Sequence, residues 1–238
     1  MKKLILDISN THAATKLGTP GARLDAQAQA ERNRRGARWD DYVQQRGERY
    51  RTCDFGTFKV STYEPDEVRQ RGVLKNLERY CDTIHDRIKA GQSLVLYGPS
   101  GTGKDHLLTA VARVAIRDAG QSVEWRSGAD LYAAARDRMG DNSLTESDLV
   151  RGLVSAGVLC ISDPVPPVAG QLTEYQAALL YRIIDGRYNR QRPTWLTCNV
   201  QHRDELEKRI GVATAGRLLD GALACWCDWR NFRKTAGK

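Results

Sequence analysis

Along most of the chain, short apolar runs alternate with longer stretches in which apolar residues recur every three or four positions. The runs at 93–97, 121–126, 157–161, 194–198 and 223–229 have the length of strands, and the stretches at about 66–90, 104–119, 128–138, 145–155, 173–189, 203–209 and 213–221 have a helical period. Continuous apolar strands separated by helices predict a parallel sheet covered by helices on both faces, an α/β fold. Residues 1–51 break the pattern. Their stretch AERNRRGARWDDYVQQRGERYR is polar, Arg-rich and short of branched aliphatics, which predicts a helix unable to build a core of its own. The chain therefore divides into a helical N-terminal extension, 1–51, and an α/β domain, 52–238.

Composition adds a charge to this outline. The chain holds 37 Lys+Arg against 29 Asp+Glu, a net +8, and its 41% hydrophobic content excludes a disordered chain. Eleven basic and six acidic residues fall within 1–51, so most of the excess lies on the extension. That suits either a solvated helix or a docking surface for an acidic partner or nucleic acid. No apolar run approaches the roughly 20 residues of a membrane helix. The apolar stretch in the opening MKKLILDISNTHAATKLG is too short for a signal peptide, so a cytoplasmic protein with no membrane partner is expected. Cys53, Cys81, Cys160, Cys198, Cys225 and Cys227 are spread through predicted elements and are expected as reduced, mostly packing thiols. With His12, His85, His106 and His202 scattered, no zinc spacing exists.

The most specific signal is the strand Ser93 to Tyr97 followed by Gly98-Pro99-Ser100-Gly101-Thr102-Gly103-Lys104 and an amphipathic run. This is G-x-x-x-x-G-K between a strand and a helix, the setting a phosphate-binding loop needs. Glycines let the backbone wrap phosphates, the loop and helix N–H groups supply positive field, and Lys104 reaches the β and γ phosphates. The candidate nucleotide-binding residues are Gly98, Pro99, Ser100, Gly101, Thr102, Gly103, Lys104, Asp105 and His106. At position 105 the pattern expects Ser or Thr as a Mg2+ ligand. Asp105 stands there instead, and a carboxylate beside a triphosphate is repelled unless a cation lies between them.

A nucleotide site of this kind also needs an apolar strand ending in acid, and Gly157 to Pro164 is the candidate. Such strands end in two acids, one for Mg2+ and one that polarises the attacking water. If Asp163 is the first acid, Pro164 replaces the second and hydrolysis is crippled. If Ser162 and Asp163 fill the two places, the chain has exchanged residues reciprocally: Asp105 and Ser162 keep one carboxylate and one hydroxyl near the metal, and Asp163 polarises the water. The metal candidates are accordingly Asp105, Ser162 and Asp163. Exchange, decay of the site and an accident of alignment all remain open.

GPSGTGKDHLLTAVARVAIRDAG looks like the phosphate loop and first helix of the DnaC/IstB-like AAA+ ATPases, which include bacterial replicative helicase loaders and transposon-encoded ATP-binding proteins. RYRTCDFGTF at 49–58 resembles the segment leading into that family's ATPase core, and CDWRNFRK resembles its closing strand. LLYRIIDGRYNRQRPTWLTCN at 179–199 is similar to the helix and strand that carry sensor 1, which falls on Asn199. GRLLDGA at 216–222 is similar to the segment bearing an arginine finger, which falls on Arg217. The resemblance implies a P-loop AAA+ fold, ATP and Mg2+ as cofactors, and a homo-oligomer on ATP binding. It also implies a hexameric replicative helicase and single-stranded DNA as partners, with the extension docking the helicase.

The residues alone leave more room. Asn199 ends an apolar strand, where its amide either reaches the water or γ phosphate or merely caps the strand end. Arg217 sits beside the inward-facing Leu218 and Leu219, projecting to a neighbour's phosphate or forming an ordinary salt bridge. Arg136, Arg138, Arg187, Arg190, Arg192, Arg230, Arg233 and Lys234 are the expected DNA-contact charges. The loop 164–170 lacks basic residues and suits a structural or protein contact. Three functions follow: a helicase-loader-like ATP-binding protein, a transposition helper ATPase of the IstB type, or a hydrolysis-deficient adaptor.

Overall fold

A computed structural model describes residues 20–138, 145–165 and 170–232. The loop positions 166–169, Arg233 and Lys234 lie outside them. Five parallel strands form one sheet: β1 (Leu94–Gly98), β2 (Val123–Ser127), β3 (Val158–Ser162), β4 (Thr194–Asn199) and β5 (Leu223–Trp226). Their order is β2-β3-β4-β1-β5, with every neighbouring pair parallel.

Residues alternate across this sheet. Leu94 and Leu96 of β1, Val158 and Cys160 of β3, and Trp195 of β4 enter one core layer; Val95, Leu159, Ile161, Leu196 and Cys198 enter the other. Burial on both faces is why these strands read as continuous apolar runs. The first layer is covered by the part of α1 (Pro20–Arg46) from residue 35 on, by α2 (Glu64–Asp82), α3 (Ile84–Lys89) and α4 (Lys104–Arg113), which continues through a wider π turn over Val114–Asp118. The second lies under α5 (Gly128–Asp137), α6 (Glu146–Ser155), α7 (Glu174–Tyr188), α8 (Arg203–Ile210) and α9 (Val212–Leu219).

The parallel α/β sheet expected from the sequence is present, with two differences in its elements. The helix expected over 66–90 is broken at Thr83, which leaves the helical region (φ −122°, ψ 30°) so that α3 turns Ile84 and Ile88 into the core. The last strand ends at Trp226 rather than 229; the Cys227 N–H still donates to the Tyr97 carbonyl, and the Cys227 carbonyl then lies over Gly98 at the end of β1.

The chain divides into two units, Met1–Arg34 and Arg35–Lys238. In the first, the described residues are helical and their side chains pair along the helix, Arg32 with Gln29, Gln29 with Asn33 and Arg34 with Glu31. Such exposed i,i+3 and i,i+4 contacts stabilise a helix by roughly 0.2–0.5 kcal/mol each. In the second, Trp39, Tyr42 and Val43 of α1 are buried in the core of the sheet domain, and Arg35 and Arg38 donate to the carbonyls of Asp118 and Gly120.

One expected DNA-contact charge is not at the surface. Arg187 is 0% exposed, and its guanidinium donates to Thr194 Oγ1 (3.1 Å) and to the carbonyls of Leu153 (2.6 Å), Ala156 (2.9 Å), Gly157 (3.3 Å) and Pro193 (2.6 Å). It ties the end of α6 to the starts of β3 and β4, so it is a structural strut. Arg138 and Arg190 bond to carbonyls of their own helices, Arg192 to those of Ser155 and Ala156, and Arg230 to Asp66. All six cysteines are free, and five are buried. No helix among the described residues is long and apolar enough to cross a membrane.

Candidate nucleotide-binding site

The loop after β1 needs its glycines. Gly101 and Gly103 have φ of +82° and +86°, in the left-handed region that side chains other than Gly disfavour, and a Cβ on Gly103 would stand 2.8 Å from the Phe58 ring. Gly103 is also the residue before the first turn of α4, so the loop leads straight into unpaired helix N–H groups. The segment after β5 braces the loop from behind: the Trp229 indole donates to the Thr102 carbonyl (2.8 Å) and the Phe232 N–H to the Gly101 carbonyl (3.0 Å).

Lys104 lies inside this loop. Its Nζ donates to the Gly98 carbonyl (2.9 Å), the Pro99 carbonyl (2.7 Å) and Asn199 Oδ1 (2.8 Å). Burial lowers its pKa from the ordinary lysine value. Neutral acceptors thus stand where anionic oxygens would bind an ammonium more strongly.

Asp105 and Ser162 meet directly. Ser162 Oγ donates to Asp105 Oδ1 at 2.9 Å, and Thr197 Oγ1 donates to the same oxygen at 2.9 Å. The other oxygen, Oδ2, lies 2.9 Å from Nη2 of Arg46, the last residue of α1. Neither Thr197 nor Arg46 was expected here. Thr197 occupies an inward position on β4 that the strand pattern allowed, whereas Arg46 is one of many arginines in a polar helix and carries no local signal.

Asp163 follows β3 with a φ of +47°, unusual for a residue with a side chain and tolerated best by Asp, Asn and Gly. Its N–H donates to the Thr197 carbonyl at 3.0 Å. The N-terminus of α5 packs so tightly here that a Cβ on Gly128 would fall 2.4 Å from the Asp163 carbonyl oxygen. Burial first, then the Asp105 carboxylate, pushes the Asp163 pKa up to about 6, opposed by Lys104 and by a hydrogen bond from Asn199. One carboxylate oxygen, Oδ1, is buried with no donor. Asn199 therefore joins Lys104 to Asp163.

A cavity of about 590 Å3 opens between the loop and residues 49–59; Tyr50, Phe58 and Phe232 give it aromatic walls, and Lys104, Asp163 and Asn199 lie at its polar end. His106 lines it too, but its ring is engaged with the Asp54 carbonyl (2.9 Å), Thr57 Oγ1 (3.3 Å) and Cys53 Sγ (3.4 Å). It pins the 53–57 turn against α4. Arg217 does not join the site. It pairs with Asp185, stacks 4.9 Å over Tyr181, and lines a separate cavity with Ser93 and Thr194, which lie at the opposite ends of β1 and β4.

The family described as IstB-like ATP binding protein matches residues 70–216. The chain belongs to this family. No curated protein matched. Among solved structures, the IstB-like chain is similar to the DnaC helicase loader (TM-score 0.63, 19% identity, 76% of this chain and 99% of that one). It is also similar to DnaI (TM-score 0.59, 15% identity, 78% and 93%) and to the replication initiator DnaA bound to AMPPCP and single-stranded DNA (TM-score 0.58, 17% identity, 75% and 50%). At these identities the likeness is one of fold, the P-loop AAA+ architecture.

The family's nucleotide fits the site. A glycine cradle, helix N–H groups, a buried ammonium and an aromatic-walled cavity match a triphosphate joined to a planar base. Of the expected metal residues, Asp105 and Ser162 are not open to Mg2+ as arranged, while Asp163 keeps one buried oxygen without a donor. Both Asp105 oxygens are taken by hydroxyl donors and a guanidinium, and the Ser162 hydroxyl is directed at Asp105.

Proposed function

We propose that this IstB-like chain binds ATP in the cavity above Lys104 and acts in DNA replication as a switch of the helicase-loader type. The observation that carries the reading is the chain of contacts from Lys104 through Asn199 to Asp163, set at the polar end of an aromatic-walled cavity. Phosphate binding draws Lys104 away from the Gly98 and Pro99 carbonyls and from Asn199. Asn199 is then released to report the γ phosphate, and Asp163 accepts a proton from the attacking water. Arg217, remote from its own loop, serves the site of a second copy in an ATP-dependent oligomer. A hexameric replicative helicase and single-stranded DNA in the cytoplasm are the proposed partners, and α1 and the residues before it dock the helicase.

Sedimentation velocity with ATP or ADP, with and without a single-stranded oligonucleotide, tests the reading. An ATP-dependent larger species that binds the oligonucleotide, more weakly as salt rises, is expected. A monomer indifferent to both ligands would set the loader function aside.

Hydrolysis is expected to be slow, because Pro164 follows Asp163 and one acid must serve. The 2.9 Å bond between Ser162 and Asp105 supports a reciprocal exchange of the two side chains over simple decay, with Arg46 rather than a metal beside the carboxylate. Asp105→Thr removes the carboxylate, Ser162→Asp sets a second one beside it, and the double variant restores one of each. A thermal-unfolding double-mutant cycle is expected to show a favourable coupling of roughly 0.5–3 kcal/mol. Additive losses would sink the exchange.

A further inference from the structure

Asp105 brings a negative charge to the place beside Lys104 where a nucleotide site carries a neutral hydroxyl and a metal ion. The structure answers that charge from within the chain. Arg46 Nη2 stands 2.9 Å from Asp105 Oδ2, and the Arg46 side chain is only 8% exposed. Its guanidinium is held over two aromatic faces, 3.6 Å from the Tyr50 ring centre and 4.6 Å from that of Trp125. Cation–π contacts of this kind favour a charged, immobile guanidinium at a desolvated site.

Two details set this apart from an ordinary ion pair. The guanidinium is held between the Asp105 carboxylate and two aromatic faces, and its Nη2 is buried. Arg46 also opposes the rise of the Asp163 pKa that burial and Asp105 cause, after Lys104 and Asn199. Tyr50 and Asp105, its two neighbours, line the nucleotide cavity. Without a cation at this point, two carboxylates would face a polyphosphate. With Arg46 in place, a metal would have to displace a caged guanidinium and two hydroxyl donors to reach Asp105.

We propose that Arg46 neutralises Asp105 from within the protein, in place of the divalent cation that would otherwise have to lie between this carboxylate and the phosphates, so that this chain binds ATP without Mg2+. The proposal rests on the reading that ATP is the ligand. It also ties the end of α1 to the nucleotide site, because the residue paired with the cavity-lining Asp105 belongs to that helix.

Calorimetric titration of the full chain with ATP, in Mg2+ and in EDTA, tests it on the wild type, Arg46→Lys and Arg46→Gln. The wild-type Kd is expected to agree within about threefold between the two buffers, and Arg46→Gln to weaken by about tenfold or more in EDTA with partial recovery in Mg2+. Arg46→Lys keeps the charge and is expected to remain close to the wild type in EDTA, which decides the matter even if Arg46→Gln folds poorly. A wild type that binds in Mg2+ but about tenfold or more weakly in EDTA would overturn this proposal alone. Equal affinities of wild type and Arg46→Gln in EDTA would overturn it as well. No binding in either buffer would overturn the ATP reading and this inference with it.

Discussion

Arg187→Met is expected to lower folding stability by about 3 kcal/mol or more, because it strips one hydroxyl and the carbonyls of Leu153, Ala156, Gly157 and Pro193 of their buried donor. The opposing effect is real, since methionine also removes a buried charge that no carboxylate neutralises. Burial pulls the Arg187 pKa down to about 10, which still leaves the guanidinium protonated at neutral pH. The carbonyls decide the sign. Each unsatisfied buried acceptor costs about 1–3 kcal/mol; Ala156 keeps Arg192 and Pro193 keeps the Leu159 N–H, so the loss falls mainly on the carbonyls of Leu153 and Gly157 and on the Thr194 hydroxyl. For a domain of this size the change lowers Tm by roughly 6–12 °C. Arg187→Lys keeps the charge but has too few donors for the whole set, so it is expected to lose about half as much. Thermal and urea unfolding of both variants read the effect, and a loss under about 1 kcal/mol for methionine would show that the strut is dispensable.

The second large effect is on binding. Lys104→Ala is expected to weaken ATP by roughly 10- to 100-fold, the value of a charge-assisted contact of about 1.5–3 kcal/mol. AMP, whose single phosphate does not extend to the lysine, is expected to change little. The same variant frees the Gly98 and Pro99 carbonyls and Asn199 Oδ1 in the nucleotide-free protein, so unfolding measurements must accompany the titrations. If ATP and AMP weaken equally while stability falls, Lys104 shapes the loop and does not contact the outer phosphates.

These two residues mark the range of what the sequence discloses. Lys104 is legible because its meaning is local: glycines, lysine, strand and helix are contiguous, and a few residues of backbone geometry define the loop. The parallel sheet is legible for a similar reason, since each strand is buried on both faces and its short apolar run admits little else. Arg187 reads as one more charge in a polar stretch, and only the meeting of α6, β3 and β4 turns it into an internal donor. Arg46 is hidden more deeply. Its neighbours in sequence include Arg49 and Arg51, and nothing local distinguishes the arginine that reaches Asp105 from the one that pairs with Glu48 and Asp40. The Asp105 and Ser162 pairing was recoverable because both stand at fixed places relative to a strand end. The break at Thr83 was not, because helical periodicity continues across it.

The loop for phosphates lies near the middle of the chain, yet its rear wall is made of residues 227–232: the Cys227 carbonyl over Gly98, Trp229 on Thr102, and Phe232 on Gly101. A nascent chain whose first four strands have emerged from the ribosome holds every glycine of the loop and Lys104 but lacks the wall that shapes them. On the proposed reading, nucleotide capture then waits until residues 227–232 have joined the sheet domain.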